Sequence, residues 1–166
     1  QSTVGEGTRF TVTLPMQPSG DAAREELRGA TCTAPIAATT AARGPAPLLL
    51  LAEDNEANIA TFREYLEAKG YRVLVARQGV EAIAQAQAHQ PALILMDVQM
   101  PEMDGLEATR RLRLDDACKS TPIIALTALA MPGDRERCLA AGADDYLTKP
   151  VQLRALAERI AALLSR

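Results

Sequence analysis

The run Leu93-Ile94-Leu95-Met96-Asp97-Val98-Gln99-Met100-Pro101-Glu102-Met103-Asp104-Gly105 decides how this chain folds. Four consecutive apolar residues lead into an acid, and a loop rich in Pro, Asp and Gly follows. A short apolar run bounded by turn residues is the pattern of a strand buried on both faces of a parallel sheet. Asp97 then stands where that strand leaves the sheet, at the carboxyl edge where open α/β sheets bind ligands. An aspartate buried there without partners would be costly. The rest of the chain has to supply them.

Outward from this strand the same alternation continues in both directions. Leu48 to Ala52 is a continuous apolar strand, and Glu56 to Lys69 carries Ile59, Phe62 and Leu66 at helical spacing before a stop at Gly70. Tyr71 to Ala76 reads as a second strand and Gly79 to His89 as an Ala-rich helix ended by Pro91. Ala92 to Met96 is the third strand, and Leu106 to Leu114 the third helix. Pro122 to Thr127 is the fourth strand, and Pro132 to Ala141 a helix closed by Gly142. Asp145 to Leu147 and Val151 to Leu164 supply a short last strand and a last helix. Strands alternating with helices predict a doubly wound α/β domain over 47–166, with a parallel five-stranded sheet and right-handed crossovers.

All strand carboxyl ends of such a sheet lie on one rim. They carry Glu53 and Asp54 after the first strand, Asp97 after the third, Thr127 after the fourth and Lys149 just past the fifth. Three carboxylates in one place repel each other unless a cation joins them. Hard oxygen ligands without His or Cys favour Mg²⁺. Lys149 suits a point positive charge facing a phosphoryl group, Thr127 a donor to a phosphoryl oxygen, and Asp97 an ionised nucleophile. Taken singly, Glu53 reads as a loop acid, Thr127 as a strand-end cap and Lys149 as a surface cation; their joint placement is what argues for chemistry.

Composition excludes several classes. Among 166 residues, 48% are hydrophobic but only 3% aromatic, so the core is built from aliphatic side chains. A net charge of −3 with scattered Lys and Arg gives no footprint for nucleic acid. No apolar run approaches the roughly 18 residues that span a bilayer, and no signal peptide is evident, so this segment is expected to be cytoplasmic and to make no membrane contact. Cys32, Cys118 and Cys138 lack metal-ligand spacing and read as reduced thiols, Cys138 as a packing residue.

Four stretches, Leu48-Leu-Leu-Leu-Ala-Glu53-Asp54-Asn55-x-x-Asn58, Leu95-Met-Asp97-Val-Gln-Met-Pro101-Glu-Met-Asp-Gly105, Ala125-Leu-Thr127-Ala128 and Asp145-Tyr146-Leu-Thr-Lys149-Pro150, together resemble a response-regulator receiver domain. The resemblance spans about residues 47 to 166 and is nearest to receivers attached to hybrid sensor histidine kinases. It implies a flavodoxin-like sheet of strand order 2-1-3-4-5, and transfer of a phosphoryl group from a phosphohistidine, on a kinase or a histidine phosphotransfer domain, to Asp97. It further implies Mg²⁺ held by Asp54, Asp97 and the backbone carbonyl of Gln99, with Glu53 acting through water where the family commonly has Asp. A cis Lys149–Pro150 bond is expected. Thr127 and Tyr146 would act as switch residues that reshape the face of the fourth helix, fifth strand and fifth helix, around Met131 to Arg137 and Tyr146 to Leu153. A phosphorylation-linked dimer is a candidate assembly. Asn58, Ile59 and Phe62 lie on the surface where the family meets its histidine partners, although Phe62 also reads as core.

Residues 1–15 contain Phe10, Val12 and Leu14 alternating with Thr, a strand pattern stopped by Pro15. Gly5-x-Gly7-Thr8-x-Phe10-x-Val12-x-Leu14-Pro15 resembles the last glycine box and final strand of a histidine-kinase ATP-binding domain. That resemblance implies ATP contact by Gly5, Gly7 and Thr8 in an intact parent kinase only. Residues 16–46 are rich in Ala, Thr, Pro, Gly and Ser and read as a flexible linker. A start at Gln1 suggests a piece of a longer chain, and since a freestanding transcription regulator would need an output domain past the last helix, that class is not expected here. The chain alone is expected to phosphorylate and dephosphorylate itself at Asp97. Two rival readings remain, a receiver-like interaction module that takes no phosphate and a dehalogenase-type Mg²⁺-dependent phosphohydrolase. The second wants another Asp two residues beyond the nucleophile, where this chain has Gln99.

Overall fold

The computed structural model describes residues 46–128 and 133–165. Gly5, Gly7, Thr8, the expected strand around Phe10 to Leu14, Cys32, nearly all of the expected 16–46 linker, Met131 and Pro132 lie outside the described residues. The elements are β1 Leu48–Ala52, α1 Glu56–Ala68, β2 Arg72–Ala76, α2 Gly79–His89, β3 Leu93–Asp97, α3 Gly105–Leu114, β4 Ile123–Thr127, α4 Asp134–Ala140, β5 Asp145–Thr148 and α5 Leu153–Leu164. All neighbouring strands pair in parallel, in the order β2-β1-β3-β4-β5, as expected.

Successive strand residues point to opposite faces, so the continuous apolar runs divide between two cores. Leu49, Leu51, Leu93 and Leu95 pack with Ile59, Phe62 and Leu66 of α1 and Leu156 and Ile160 of α5. Leu50, Ala52, Ile94 and Met96 pack on the other face with Ala82 and Ala86 of α2 and Ala108 and Leu112 of α3. Leu49, Leu50, Leu93, Ile94 and Leu95 are fully buried, each worth about 1.5–3 kcal/mol of burial. Alanines on α2 let that helix approach the sheet closely. A smaller cluster joins Leu106, Ala125, Cys138, Ala141 and Ala143, with Val98 and Tyr146 against it.

Boundaries differ from the sequence expectation at element ends. β3 runs one residue further, to Asp97, because that residue still pairs with Leu126 of β4. The last helix begins at Leu153 rather than Val151, and β5 extends to Thr148. The described part of the fourth helix is Asp134–Ala140, preceded by Gly133 at φ 103°. Cys118 and Cys138 are buried free thiols, in keeping with a packing role, and burial pushes both above the ordinary thiol range.

At the end of the sheet opposite the carboxyl rim, Arg113 ties three segments together. Its Nε donates to Gly142 O at 2.7 Å, its Nη1 to Thr121 O at 2.8 Å and its Nη2 to Asp144 Oδ2 at 2.7 Å. The same Asp144 oxygen accepts the Ile123 N–H at 2.8 Å, where β4 starts. This clamp joins the end of α3, the entry to β4 and the turn before β5.

Candidate functional site

The residues foreseen on the rim are delivered by the ends of four strands, Glu53 and Asp54 both by β1. Glu53 follows β1, and its N–H donates to Ala76 O at 3.0 Å, where β2 ends. Asp97 closes β3. Thr127 closes β4, and its carbonyl accepts the Lys149 N–H at 2.7 Å, which ties the end of β5 to the end of β4. Glu53 is fully buried, and Asp97 and Thr127 are each 2% exposed, while Asp54 is exposed.

The loop after Asp97 is shaped by its backbone. Val98 N–H donates to Leu126 O at 2.8 Å and Gly105 N–H to Val98 O at 3.1 Å, which folds the loop back on the strand end. A side chain at Gly105 would collide with the Asp97 carbonyl, so only glycine lets α3 start this close to the acid. Asp104 caps that helix by accepting the Glu107 N–H at 2.7 Å.

Lys149 is the hub of the charged cluster. Its Nζ donates to Asp97 Oδ2 at 2.6 Å and to Glu53 Oε2 at 2.8 Å. Asp97 Oδ1 accepts the Gln99 N–H at 3.0 Å. Burial pushes the Asp97 carboxyl above its usual range; the Lys149 and Gln99 hydrogen bonds pull the other way without cancelling it, and the nearby Glu53 charge adds to the rise. Burial also works against the Lys149 ammonium, but its hydrogen bonds to Asp97 and Glu53 outweigh that and hold its pKa above the usual value. The Lys149–Pro150 bond is cis, as expected.

Glu53, Asp54 and Asp97 each bring a carboxylate oxygen to within 4.8 Å of the others. An all-oxygen, all-carboxylate donor set of that span fits a hard divalent cation such as Mg²⁺ and not a soft one. Beside Thr127 lies a cavity of about 240 Å³ between the loop after β3 and α4, lined in part by Val98, Leu106, Arg137 and Cys138. Tyr146 is half-buried on β5, against the cluster that contains Ala125 and Cys138.

Two expectations need correction. Ile59 is only 5% exposed and belongs to the core beneath α1 rather than to a docking surface, while Phe62, also 5% exposed, is core as its core reading has it. Asn58 does not simply face outward either, because its side-chain amide donates to Glu53 Oε1 at 2.8 Å. Sequence reasoning missed that bond and the Gly105 approach, although both residues sit inside the stretches that pointed to the site.

Comparison with known proteins decides the family. The sequence model described as "Response regulator receiver domain" matches residues 49–161. The chain belongs to the response regulator receiver family. This receiver is 44% identical over 116 residues to the polar-differentiation response regulator DivK of Brucella anthropi, covering 70% of this chain and 94% of that one. It is also similar to the receiver domain of sensor histidine kinase PA1611 from Pseudomonas aeruginosa, at 39% identity and TM-score 0.69 over 73% of this chain and 99% of that one. That crystal structure has a magnesium ion coordinated in its active site cleft. A signal receiver domain of a histidine kinase from Syntrophus aciditrophicus is 38% identical with TM-score 0.68, covering 72% of this chain and 91% of that one. Receivers of this family are the signalling domains of two-component systems. No helix among the described residues is long and apolar enough to cross a membrane.

Proposed function

We propose that this receiver accepts a phosphoryl group on Asp97 from a phosphohistidine, in a site that holds Mg²⁺, and passes the change to the face formed by α4, β5 and α5. The observation that carries the reading is the pairing of a buried Asp97 with Lys149 at 2.6 Å inside a cluster of three carboxylates on the sheet's carboxyl rim. Asp54, Asp97 and the Gln99 carbonyl would hold the ion, with Glu53 acting through water. A bound Mg²⁺ neutralises the acid cluster and takes up charge on the phosphoryl oxygens.

In the transfer, an Asp97 carboxylate oxygen attacks phosphorus, the phosphorus–nitrogen bond breaks, and the imidazole leaves with the bonding pair. Lys149 keeps the Asp97 carboxylate ionised and oriented and then faces the added phosphoryl oxygens. The Thr127 hydroxyl donates to one of those oxygens. As Thr127 moves toward them, Tyr146 turns inward beside the cavity against α4, and the α4-β5-α5 face changes shape. A glutamine at position 99 supplies no second carboxylate for acid–base turnover, which disfavours the phosphohydrolase reading.

The parent protein is read as a cytoplasmic portion of a hybrid sensor histidine kinase. Similarity to receiver domains of two histidine kinases and the kinase-like residues 1–15 support this, with Gly5, Gly7 and Thr8 serving ATP only in the intact parent. Its partners are then a kinase phosphohistidine or a histidine phosphotransfer domain, and phosphorylation would favour a dimer through the altered face. The test is labelling with acetyl phosphate and Mg²⁺, read by intact mass. The parent takes up one labile phosphoryl group, Asp97→Asn takes up none, and chelation of the metal abolishes labelling. Equal labelling of both proteins, or none on the parent, would overturn the reading.

A further inference from the structure

The Glu53 carboxylate is fully buried, and burying a polar group is costly unless its oxygens are hydrogen-bonded. Its two oxygens have partners of different kinds. Oε2 accepts from Lys149 Nζ at 2.8 Å, but Lys149 is shared, since the same nitrogen donates to Asp97 at 2.6 Å. Oε1 accepts from Asn58 Nδ2 at 2.8 Å. Asn58 is itself anchored, because its backbone N–H donates at 3.2 Å to Oδ1 of Asn55, the residue that caps α1. The amide therefore projects from a rigid first turn onto the acid.

Two physical points give that contact its meaning. Glutamate has one more torsion than aspartate and a broad final one, so its carboxylate needs a fixed donor to settle in one orientation. An amide donor is neutral. Unlike Lys149, it orients the carboxylate without cancelling the charge that attracts a cation. Partners of this indirect kind typically change metal affinity by about 10–100-fold when removed.

We infer that Asn58 is a positioning residue: it holds the Glu53 carboxylate against the pull of Lys149 and thereby sets the affinity of the acid cluster for its divalent cation. The inference rests on the proposed Mg²⁺-dependent function. It is tested by titrating Mg²⁺ into the whole chain, followed by NMR shifts to saturation, for the parent, Asn58→Leu, Asn58→Ala and the same Asn58 changes in a Glu53→Ala background. Thermal unfolding of each variant establishes that it is folded. Both Asn58 variants are expected to weaken Mg²⁺ binding by about tenfold when Glu53 is present and by less than about twofold when it is absent, the pattern of two coupled residues. An unchanged affinity in the parent background, or an equal loss in both backgrounds, overturns the inference. A parent that binds no Mg²⁺ overturns the proposed function instead, and this inference with it.

Discussion

Asp97 is held under opposing demands. It is buried beside another acid, which disfavours its charge, while Lys149 and the Gln99 N–H favour it, and the balance leaves its pKa raised. A raised folded-state pKa means the folded chain binds that proton more tightly than the unfolded chain, whose value is about 3.9. The stability this group contributes is therefore greatest below the unfolded value and is lost as pH rises through the folded one. Asp97→Asn, without metal at pH 7.5, is predicted to raise the urea midpoint by an amount equivalent to about 1 kcal/mol. The difference should shrink as pH falls toward the ordinary carboxylate range, where the parent takes up the proton. Urea unfolding in chelator at several pH values checks this; an asparagine variant less stable than the parent at pH 7.5 would contradict it. The placement of Glu53, Asp54, Asp97, Thr127 and Lys149 on one rim was legible in the sequence because each stands at or just past the end of a strand. The Asn58 amide was not, since a helix-start residue reads as outward-facing until the reach of the longer Glu53 is known.

At the scale of elements, strands were legible because Leu48 to Ala52 and Leu93 to Met96 are unbroken apolar runs too short for helices. Their ends were less so. Whether Asp97 belongs to β3 depends on pairing with Leu126, which a distant strand supplies. The Arg113 clamp left no local signal either, since its partners Gly142 and Asp144 lie 29 and 31 residues away. Neighbouring Arg111 looks equivalent in sequence but, among the described residues, makes an exposed ion pair with Glu107 at 2.9 Å and no such clamp. Arg113→Ala leaves several carbonyls without their side-chain donor and removes the cation paired with Asp144, which keeps the Ile123 N–H, and is predicted to cost about 2–4 kcal/mol. Arg111→Ala should cost about 0.5 kcal/mol or less. Chemical denaturation of the two variants side by side checks the contrast, and similar losses would show that the clamp carries no special weight.

Across the whole molecule, the fold's work is to bring together groups far apart in sequence. Lys149 and Glu53 are 96 residues apart and Lys149 and Asp97 are 52 apart, yet one ammonium bonds both acids. The parallel sheet does this by ending every strand on the same rim, and the order β2-β1-β3-β4-β5 sets β1, β3 and β4 side by side at its centre. Asp97 lies on the middle strand of that group, with Glu53 and Asp54 after β1 on one side and Thr127 from β4 on the other. That central placement is the reason Asp97, among the rim acids, is the acceptor we propose. The most direct test is to label the chain with acetyl phosphate and Mg²⁺, reduce the acyl phosphate with borohydride, and locate the product by peptide mass spectrometry. Reduction should convert the residue at position 97, and that residue alone, to homoserine; conversion at Asp54 or Asp104, or at no aspartate, would contradict the assignment.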